Sequence, residues 1–420
     1  MGISKLHKSL IQNDKHRKVS YERQLANDLL TLGLLILTPM KILIASDSFK
    51  DALSAIEVCK AIEKGIKLAD SSIKTVLFPL GDGGEGTSEI LTFHADGEWI
   101  STTVHDPLFR KIKANYGISG DGQTAFIEMA QAAGLQLLKS EERNPLKTST
   151  YGVGEMILDA VNRGVRKIVL GIGGSATNDA GIGMAQALGY KFIAHSASII
   201  DQPTGESLSK IRKINDSNLK INLINASTHQ PIHIIVLSDV DNPLHGLKGA
   251  AHVYASQKGA DEAAVQELDE GLRHFANILE QHFGQDFSNI PGAGAAGGLG
   301  AGAMAFLNAA LKPGIETVLE LTDFQKTLHD IDLIITGEGK IDSQTLHGKL
   351  ISGLVKKSNG IPVIALCGTL LASPKEIEQI GLRAVFSILN RPMKLEEALP
   401  ETKDLLESTA FNILKTRFDW

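Results

Sequence analysis

The chain has 420 residues, of which 43% are hydrophobic and 21% charged, a balance typical of a folded protein of two or three domains. Its 42 basic and 48 acidic residues give a net charge of −6, which argues against nucleic acid as a partner. The two cysteines, Cys59 and Cys367, lie far apart in apolar surroundings, so no disulfide framework or cysteine zinc site is predicted. We expect a cytoplasmic location, no membrane partner, and a monomer or homodimer.

The first 39 residues differ in composition from the rest of the chain. They hold six basic and three acidic side chains and then the run LLTLGLLIL, which is too short to span a membrane. A basic stretch before an apolar one has the general form of a signal peptide, but this basic region is long, contains acids and lacks an A-x-A-like cleavage site. We interpret residues 1–39 as an N-terminal extension outside the core fold.

From Met40 on, short β-branched runs alternate with helical patterns, which predicts a parallel sheet with crossover helices. Strands are predicted at 41–46, 75–80, 167–171, 233–237, 333–336 and 362–367, and helices at 54–68, 154–162 and 263–283. Between residues 98 and 128, Pro107 and Gly120-Asp121-Gly122 join three β-like segments, which predicts hairpins rather than crossovers. We therefore predict an α/β fold: a doubly wound Rossmann-like domain, residues 40–93 and 291–420, with an inserted mixed α/β domain, residues 94–290.

Glycines and small polar residues follow the strands of the first domain. The loop after residue 45 holds Ser46, Asp47, Ser48 and Lys50; the loop after residue 80 holds Asp82, Gly83, Gly84, Glu85 and Gly86; the loop after residue 336 holds Glu338, Lys340 and Asp342. Any one of these loops is explained equally well as a tight turn. Because ligands of open α/β sheets bind outside the carboxyl ends of the strands, the loops together predict a site in the cleft between the domains.

The inserted domain carries a second glycine-rich loop, GIGGSATNDAGIG, directly after a predicted strand. It contains Gly171, Gly173, Gly174, Ser175, Thr177, Asn178 and Asp179. Backbone amides before a helix form an anion site, which predicts phosphate binding. The spacing also matches the dinucleotide pattern G-x-G-x-x-A, but the acidic residue that this pattern needs about 20 residues later is missing.

Two further segments leave alternatives open. The stretch PGAGAAGGLGAG includes Gly294, Gly297 and Gly298, and it fits either close helix packing or a backbone wall beside a nucleotide. The segment SDVDNPLHG includes Asp239, and it fits either a turn or a carboxylate site for Mg²⁺. The sequence has no Walker A motif, no H-E-x-x-H and no G-x-S-x-G, so a P-loop enzyme, a zinc hydrolase and a serine esterase lack their motifs.

Eight long motifs together resemble the bacterial class I glycerate kinases. They are SDSFKDALSA, PLGDGGEGTSEIL, IEMAQAAGL, TSTYGVGEMI, GIGGSATNDAGIGMAQALG, DVDNPLHGLKGAAHVYASQKGA, PGAGAAGGLGAG and LIITGEGKIDSQTLHGK. Gly81 is one departure, because the family usually has alanine there. The resemblance implies two α/β domains with the active site between them, and phosphorylation of D-glycerate by ATP, with 2-phosphoglycerate as the usual product.

Phosphoryl transfer requires positioning and charge neutralisation, which amide cradles, a lysine, Mg²⁺ and a base supply. We expect Lys50 to neutralise the transferring phosphate or the substrate carboxylate, and Asp47 or Asp179 to accept the hydroxyl proton. Asp179 is equally well explained as a helix cap. Residues 46, 48 and 82–86 are expected at the substrate, the glycines and polar residues at 171–178 and 294–298 at the nucleotide, and Asp239, Glu338 and Asp342 at the metal. A 3-phosphoglycerate-forming kinase, a nicotinamide-dependent oxidoreductase and a non-catalytic sensor of sugar acids remain alternatives.

Overall fold

The chain forms two main β-sheets with helices packed against them in a computed structural model that describes residues 40–220, 231–343, 345 and 350–416. The predicted extension, residues 1–39, lies outside the described residues. The strands are β1 (Lys41–Ile44), β2 (Lys74–Leu77), β3 (Glu98–His105), β4 (Lys111–Ile118), β5 (Thr124–Glu128), β6 (Lys167–Gly171), β7 (Lys191–Ala194), β8 (Ile211–Asn215), β9 (His233–Leu237), β10 (Ala310–Lys312), β11 (Leu333–Ile341), β12 (Val363–Leu370) and β13 (Ala384–Ser387).

Helices connect and cover these strands. They are α1 (Ala55–Ala69), α2 (Thr87–His94), α3 (Ala130–Ala133), α4 (Tyr151–Asn162), α5 (Ile182–Ala187), α6 (Ala250–Tyr254), α7 (Glu262–Phe283), α8 (Ala295–Leu307), α9 (Gly314–Leu321), α10 (Phe324–Thr327), α11 (Leu350–Lys357), α12 (Pro374–Ile380) and α13 (Leu395–Lys415). Short 3₁₀ turns lie at Leu135–Leu137, Ser140–Glu142, Gly205–Lys210 and Ser256–Lys258. Local sequence explains several ends: Ser54 caps α1 in a capping box with Glu57, which satisfies amides that a helix start leaves unpaired.

The first sheet is parallel throughout and has the order β13-β12-β11-β1-β2. Numbered along the chain within this sheet, that order is 2-1-3-4-5, the doubly wound pattern in which the strand order reverses between β1 and its neighbour β11. Successive β1 side chains alternate between two cores: Leu43 faces one, and Ile42 and Ile44 face the other. Both faces of the sheet are buried, as parallel sheets require.

The second sheet has the order β10-β9-β6-β5-β4-β3. Strands β5, β6, β9 and β10 are parallel, whereas β3, β4 and β5 are joined by antiparallel pairing. The mixed sheet confirms the predicted change of pattern, with a turn at residues 119–122 between β4 and β5. A separate hairpin, β7 with β8, was not predicted.

The two sheets share apolar contacts. Phe126, Val169 and Leu237 of the second sheet belong to the same buried cluster as Leu43 of the first sheet and Phe78, which directly follows β2. Most of the remaining core of the second sheet forms its own cluster between the sheet and its helices. The loops at the carboxyl ends of both sheets are therefore held on a common apolar base.

The predicted domain limits differ from sheet membership at one place. Strand β10 pairs with β9, although the predicted boundary at residue 290 assigned it to the first domain. On sheet membership we propose that the first domain comprises residues 40–93 and those from 313 onward. Within the described part of the chain, no helix combines the length and apolar content needed to cross a membrane.

Candidate active site

Loops from the two sheets meet at a cavity of about 490 Å³. The loop after β2 contributes Asp82, Gly83 and Gly84, and the loop after β6 contributes residues 172–175. The loops nearly touch, because a Cβ atom on Gly173 would lie 3.3 Å from the Gly84 Cα atom. The structure thus brings together the two glycine-rich loops that the sequence predicts to face one cleft.

At the reversal of strand order, the chain after β1 is fixed to β11. The amide of Asp47 donates to the Gly337 carbonyl at 3.0 Å, and the Ser46 hydroxyl donates to the same carbonyl at 3.1 Å. Ser46 is buried, so it supports the loop rather than facing a ligand. Asp47 Oδ1 accepts a hydrogen bond from the Ser48 amide at 2.7 Å. This anchoring holds Asp47 at the carboxyl end of β1, where Asp47 and Ser48 are half-buried and are not among the residues that line the cavity.

Asp47 has an unusual proton affinity. Burial raises its pKa to about 7, against the hydrogen bond from the Ser48 amide, and repulsion from Asp82 and Glu338 adds to the rise. Lys50, three residues later, is exposed and lines the cavity. A carboxyl group with a pKa near neutrality can exchange a proton at physiological pH.

The loop after β2 contains a turn and two glycines with positive φ. The Gly84 amide donates to Asp82 Oδ1 at 3.0 Å, which orders the turn. Gly83 has a φ of +92°, and Gly86, at the start of α2, has a φ of +86°; both values favour glycine. The Glu85 side chain is exposed and does not line the cavity.

The loop after β6 divides into a cavity-lining part and a buried part. Gly173, Gly174 and Ser175 line the cavity, in line with the predicted anion site. Gly171 lies at the end of β6, close to the Gly83 carbonyl. Thr177 and Asn178 are buried and do not line the cavity, so the structure does not favour their predicted contact with a nucleotide.

Asp179 is also buried, which favours its predicted role as a cap over its predicted role as a base. Its carboxylate accepts hydrogen bonds from the Thr150 amide and hydroxyl, both at 2.8 Å, and from the Gly181 and Gly183 amides at 3.1 and 3.2 Å. Burial raises its pKa, and these four donors oppose the rise. A carboxylate enclosed in this way ties the loop to the start of α4 and is poorly placed to accept a substrate proton.

The glycines at residues 294–298 serve backbone packing. A Cβ atom on Gly297 would overlap the Thr177 carbonyl, and one on Gly294 would overlap the Pro243 carbonyl. Gly298 has a φ of +88° and lies against Ala180. The packing interpretation of this segment therefore fits better than a predicted glycine wall beside a nucleotide, and Ala295 and Ala296 are the residues that reach the cavity.

The three predicted metal ligands do not form one group. Asp239 lines the cavity and accepts a hydrogen bond from the Gly314 amide at 2.7 Å. Glu338 Oε1 accepts from the Thr345 hydroxyl at 2.8 Å, and Asp342 lies 2.6 Å from the Lys340 ammonium group. In residues 40–220, 231–343, 345 and 350–416, no three His, Cys, Asp or Glu side chains are arranged to hold a metal ion.

Sequence reasoning missed several cavity residues, Tyr254 and Lys258 among them. The Tyr254 hydroxyl donates to Asn242 Oδ1 at 2.6 Å. Both residues lie within a long segment that carries the resemblance, but neither has a spacing pattern that marks it as functional. A second cavity, of about 510 Å³, is lined by His105, Phe109 and Tyr151 and contains none of the predicted site residues.

A cavity shared by two sheets and lined by two glycine-rich loops, a lysine and carboxylates is typical of a site for a small anionic ligand. Comparison with known proteins specifies the class further. Residues 42–417 match the model of the glycerate kinase family, and the chain belongs to this family.

The similarity to individual relatives extends over nearly their whole length. The chain is 47% identical to a glycerate kinase of Halalkalibacterium halodurans over 374 residues, which is 89% of this chain and 97% of that relative. It is 45% identical to the glycerate 2-kinase of Escherichia coli, covering 90% of this chain and 98% of the relative. A crystal structure from Salmonella typhimurium LT2, described as a glycerate kinase 2, superposes with a TM-score of 0.80 at 41% identity, covering 90% of this chain and 98% of that one.

Proposed function

We propose that this protein transfers the γ-phosphoryl group of ATP to the 2-hydroxyl of D-glycerate, giving 2-phospho-D-glycerate and ADP. Family membership supports ATP as the phosphoryl donor and a small molecule as the acceptor. The relative from E. coli, named glycerate 2-kinase, supports the 2-hydroxyl over the 3-hydroxyl. The nicotinamide alternative loses support, because the chain belongs to a kinase family.

The observation that carries this proposal is the position of Asp47 at the reversal of strand order, three residues before the cavity-lining Lys50. We assign Asp47 as the base that accepts the hydroxyl proton of glycerate, because its pKa of about 7 is well matched to proton transfer at neutral pH. The neighbouring Lys50, which lines the cavity, supplies positive charge for the carboxylate of glycerate or the transferring phosphoryl group. Ser48 and the turn at residues 82–84 complete the proposed substrate side.

The part of the cavity formed by the loop after β6 suits the nucleotide. Gly173, Gly174 and Ser175 line it, and the lack of side chains on the two glycines lets a phosphate approach the backbone closely. The base on one sheet and the phosphate loop on the other would place the hydroxyl and the γ-phosphate facing each other. Such positioning accounts for much of the catalysis in phosphoryl transfer.

A Mg²⁺ ion fits this cavity, and we propose Asp82 and Asp239 as the residues that would hold it. Both line the cavity, and they meet at Gly314, whose amide donates to the Asp239 carboxylate and which packs against the Asp82 carbonyl. Carboxylate oxygens suit Mg²⁺, which commonly takes one or two of them together with phosphates and water. When bound, the ion would neutralise phosphate charge. Glu338 and Asp342 are less well placed, because neither lines the cavity.

The direct test is formation of ADP from ATP–Mg²⁺ in the presence and absence of D-glycerate, followed by chromatography of quenched samples. We expect ADP to form only with D-glycerate. No glycerate-dependent ADP would contradict the proposal. Titration with NADH followed by fluorescence tests the oxidoreductase alternative, and we expect no change.

A further inference from the structure

Lys258 is a buried lysine that the mechanism proposed above does not use. It lies in the 3₁₀ turn Ser256–Lys258 that follows α6, and only 2% of its surface is exposed. Its ammonium group donates to the Thr177 carbonyl at 2.7 Å. This hydrogen bond therefore joins the turn to the loop after β6 at Thr177, two residues beyond the last residue of that loop that lines the cavity.

The charge of Lys258 is poorly compensated in the absence of a ligand. Among the described residues, the Thr177 carbonyl is its one hydrogen-bond partner, although an ammonium group has three N–H donors. The opposite charge that acts on it, Asp179, is already hydrogen bonded to Thr150, Gly181 and Gly183. Burial accordingly lowers the pKa of Lys258 to about 7, although the charge of Asp179 opposes this.

The same side chain borders the cavity. Lys258 lines it together with Gly173, Gly174 and Ser175, which are the residues that we assign to the nucleotide. Other charged groups around the cavity are Lys50 and Asp82 from the first sheet and Asp239 from the loop after β9. A buried cation with unused donors next to a loop of backbone amides is a complement for an anion.

We propose that Lys258 is a nucleotide-binding residue whose ammonium group contacts a phosphate of ATP held against the loop at residues 173–175. This inference rests on the proposed function for the identity of the anion. We assign the alternative anion, the carboxylate of glycerate, to the loops after β1 and β2, which contribute Lys50 and residues 82–84 to the cavity.

The proposal predicts that nucleotide binding is coupled to proton uptake. A lysine with a pKa of about 7 is about nine-tenths neutral at pH 8 and mostly charged at pH 6. A phosphate beside it favours the charged form and raises its pKa. Binding of nucleotide at pH 8 should therefore take up close to one proton through Lys258, and binding at pH 6 should take up far less.

Calorimetric titration of the full chain with the non-hydrolysable analogue AMP-PNP and Mg²⁺, repeated in buffers of different ionisation enthalpy, counts these protons. We compare the wild type with Lys258→Met, which keeps the length of the side chain, and with Lys213→Met, an exposed lysine of β8. We expect Lys258→Met to weaken binding of the analogue at least tenfold and to abolish the difference in proton uptake between pH 8 and pH 6. Lys213→Met should match the wild type, and the affinity of Lys258→Met for D-glycerate should change less than twofold.

Two results would overturn the inference. One is equal affinity of Lys258→Met and the wild type for the analogue. The other is a wild type whose proton uptake at pH 8 is no greater than at pH 6, a measurement that does not depend on the variant folding. Failure of the proposed function is distinguishable, because it would appear as a wild type that forms no ADP from D-glycerate whatever the titrations show. A variant weakened toward D-glycerate instead of the analogue would assign Lys258 to the substrate and contradict the proposal.

Discussion

Asp47, three residues after the end of β1, lies beside Glu338 of β11, because the Asp47 amide is hydrogen bonded to the Gly337 carbonyl at 3.0 Å. This is the point where the strand order of the first sheet reverses. Repulsion from Glu338 and Asp82 adds to the effect of burial on the pKa of Asp47. The fold thus places a carboxyl group of raised pKa at the edge where open α/β sheets bind ligands.

The first prediction concerns Asp47 as base. Asp47→Asn keeps the size of the side chain but removes the proton acceptor, so kcat should fall by about 10²–10⁴-fold with little change in KM. Asp51→Asn is the matched control, because Asp51 is exposed in the same loop and its φ of +63° is compatible with asparagine. Steady-state kinetics of both variants test the assignment. Equal activity of Asp47→Asn and Asp51→Asn would refute it.

The second prediction concerns pH. Because the base must be ionised, kcat/KM should rise with pH and level off above the pKa of Asp47, which is about 7. Below that pH the rate should fall by about tenfold per pH unit, as protonation removes the active form. A pH profile measured at constant ionic strength tests this. A flat profile between pH 5 and pH 8 would be inconsistent with Asp47 as the base.

The third prediction concerns Asp179, whose carboxylate accepts hydrogen bonds from Thr150, Gly181 and Gly183. In Asp179→Asn an NH₂ group faces some of these donors, which should lower stability by about 1–3 kcal/mol. The kcat per folded molecule should stay close to the wild-type value. Thermal unfolding and active-site titration separate the two effects. Unchanged stability with a kcat at least 100-fold lower would restore Asp179 as a catalytic base.

The fourth prediction compares two glycines of one loop. A Cβ atom on Gly83 would lie 2.8 Å from the Gly314 Cα atom, whereas one on Gly86 would meet nothing within 4 Å. Both residues have positive φ, so alanine at either position carries a backbone penalty of about 1 kcal/mol. Gly83→Ala should in addition displace the cavity wall and lower kcat/KM more than tenfold, while Gly86→Ala should stay within about threefold. Equal losses would show that the contact with Gly314 does not matter.

The fifth prediction concerns stability without ligand. Lys258→Met replaces a poorly compensated buried cation by an apolar side chain of similar length, which removes the cost of burying that charge and should stabilise the protein. The unfolded chain binds the lysine proton more tightly than the folded chain, whose Lys258 has a pKa of about 7. The destabilisation by Lys258 is therefore fully present below about pH 7 and shrinks as pH rises towards the unfolded pKa. Denaturant titrations at pH 6.5 and pH 9.5 should show a larger advantage of the variant at the lower pH.

Much of the fold could be predicted from sequence, because buried parallel strands are short apolar runs with clear ends. The bounds of β6 and β9 are confirmed as predicted. Strand β11 continues to Ile341, beyond the predicted end at residue 336, since polar residues such as Glu338 and Lys340 still pair with β12. Hydrophobicity does not reveal such polar strand ends.

The candidate site was less predictable, because burial depends on partners that are distant in sequence. The sequence around Asp179 does not reveal whether its carboxylate contacts a ligand or Thr150, which lies 29 residues earlier. Gly297 and Gly298 owe their role to the backbone at residues 177–180, and Gly294 owes its role to the Pro243 carbonyl. Lys258 stands out only once its burial and its contact with Thr177 are known.

The most direct test of the account is the identity of the product. The protein is incubated with D-glycerate and ATP–Mg²⁺, and enolase is added without phosphoglycerate mutase, so that only 2-phosphoglycerate is converted to phosphoenolpyruvate. We predict that phosphoenolpyruvate appears at once and that added mutase does not increase the initial rate. Phosphoenolpyruvate that forms only after mutase is added would mean that the 3-hydroxyl is phosphorylated, and this would contradict the account.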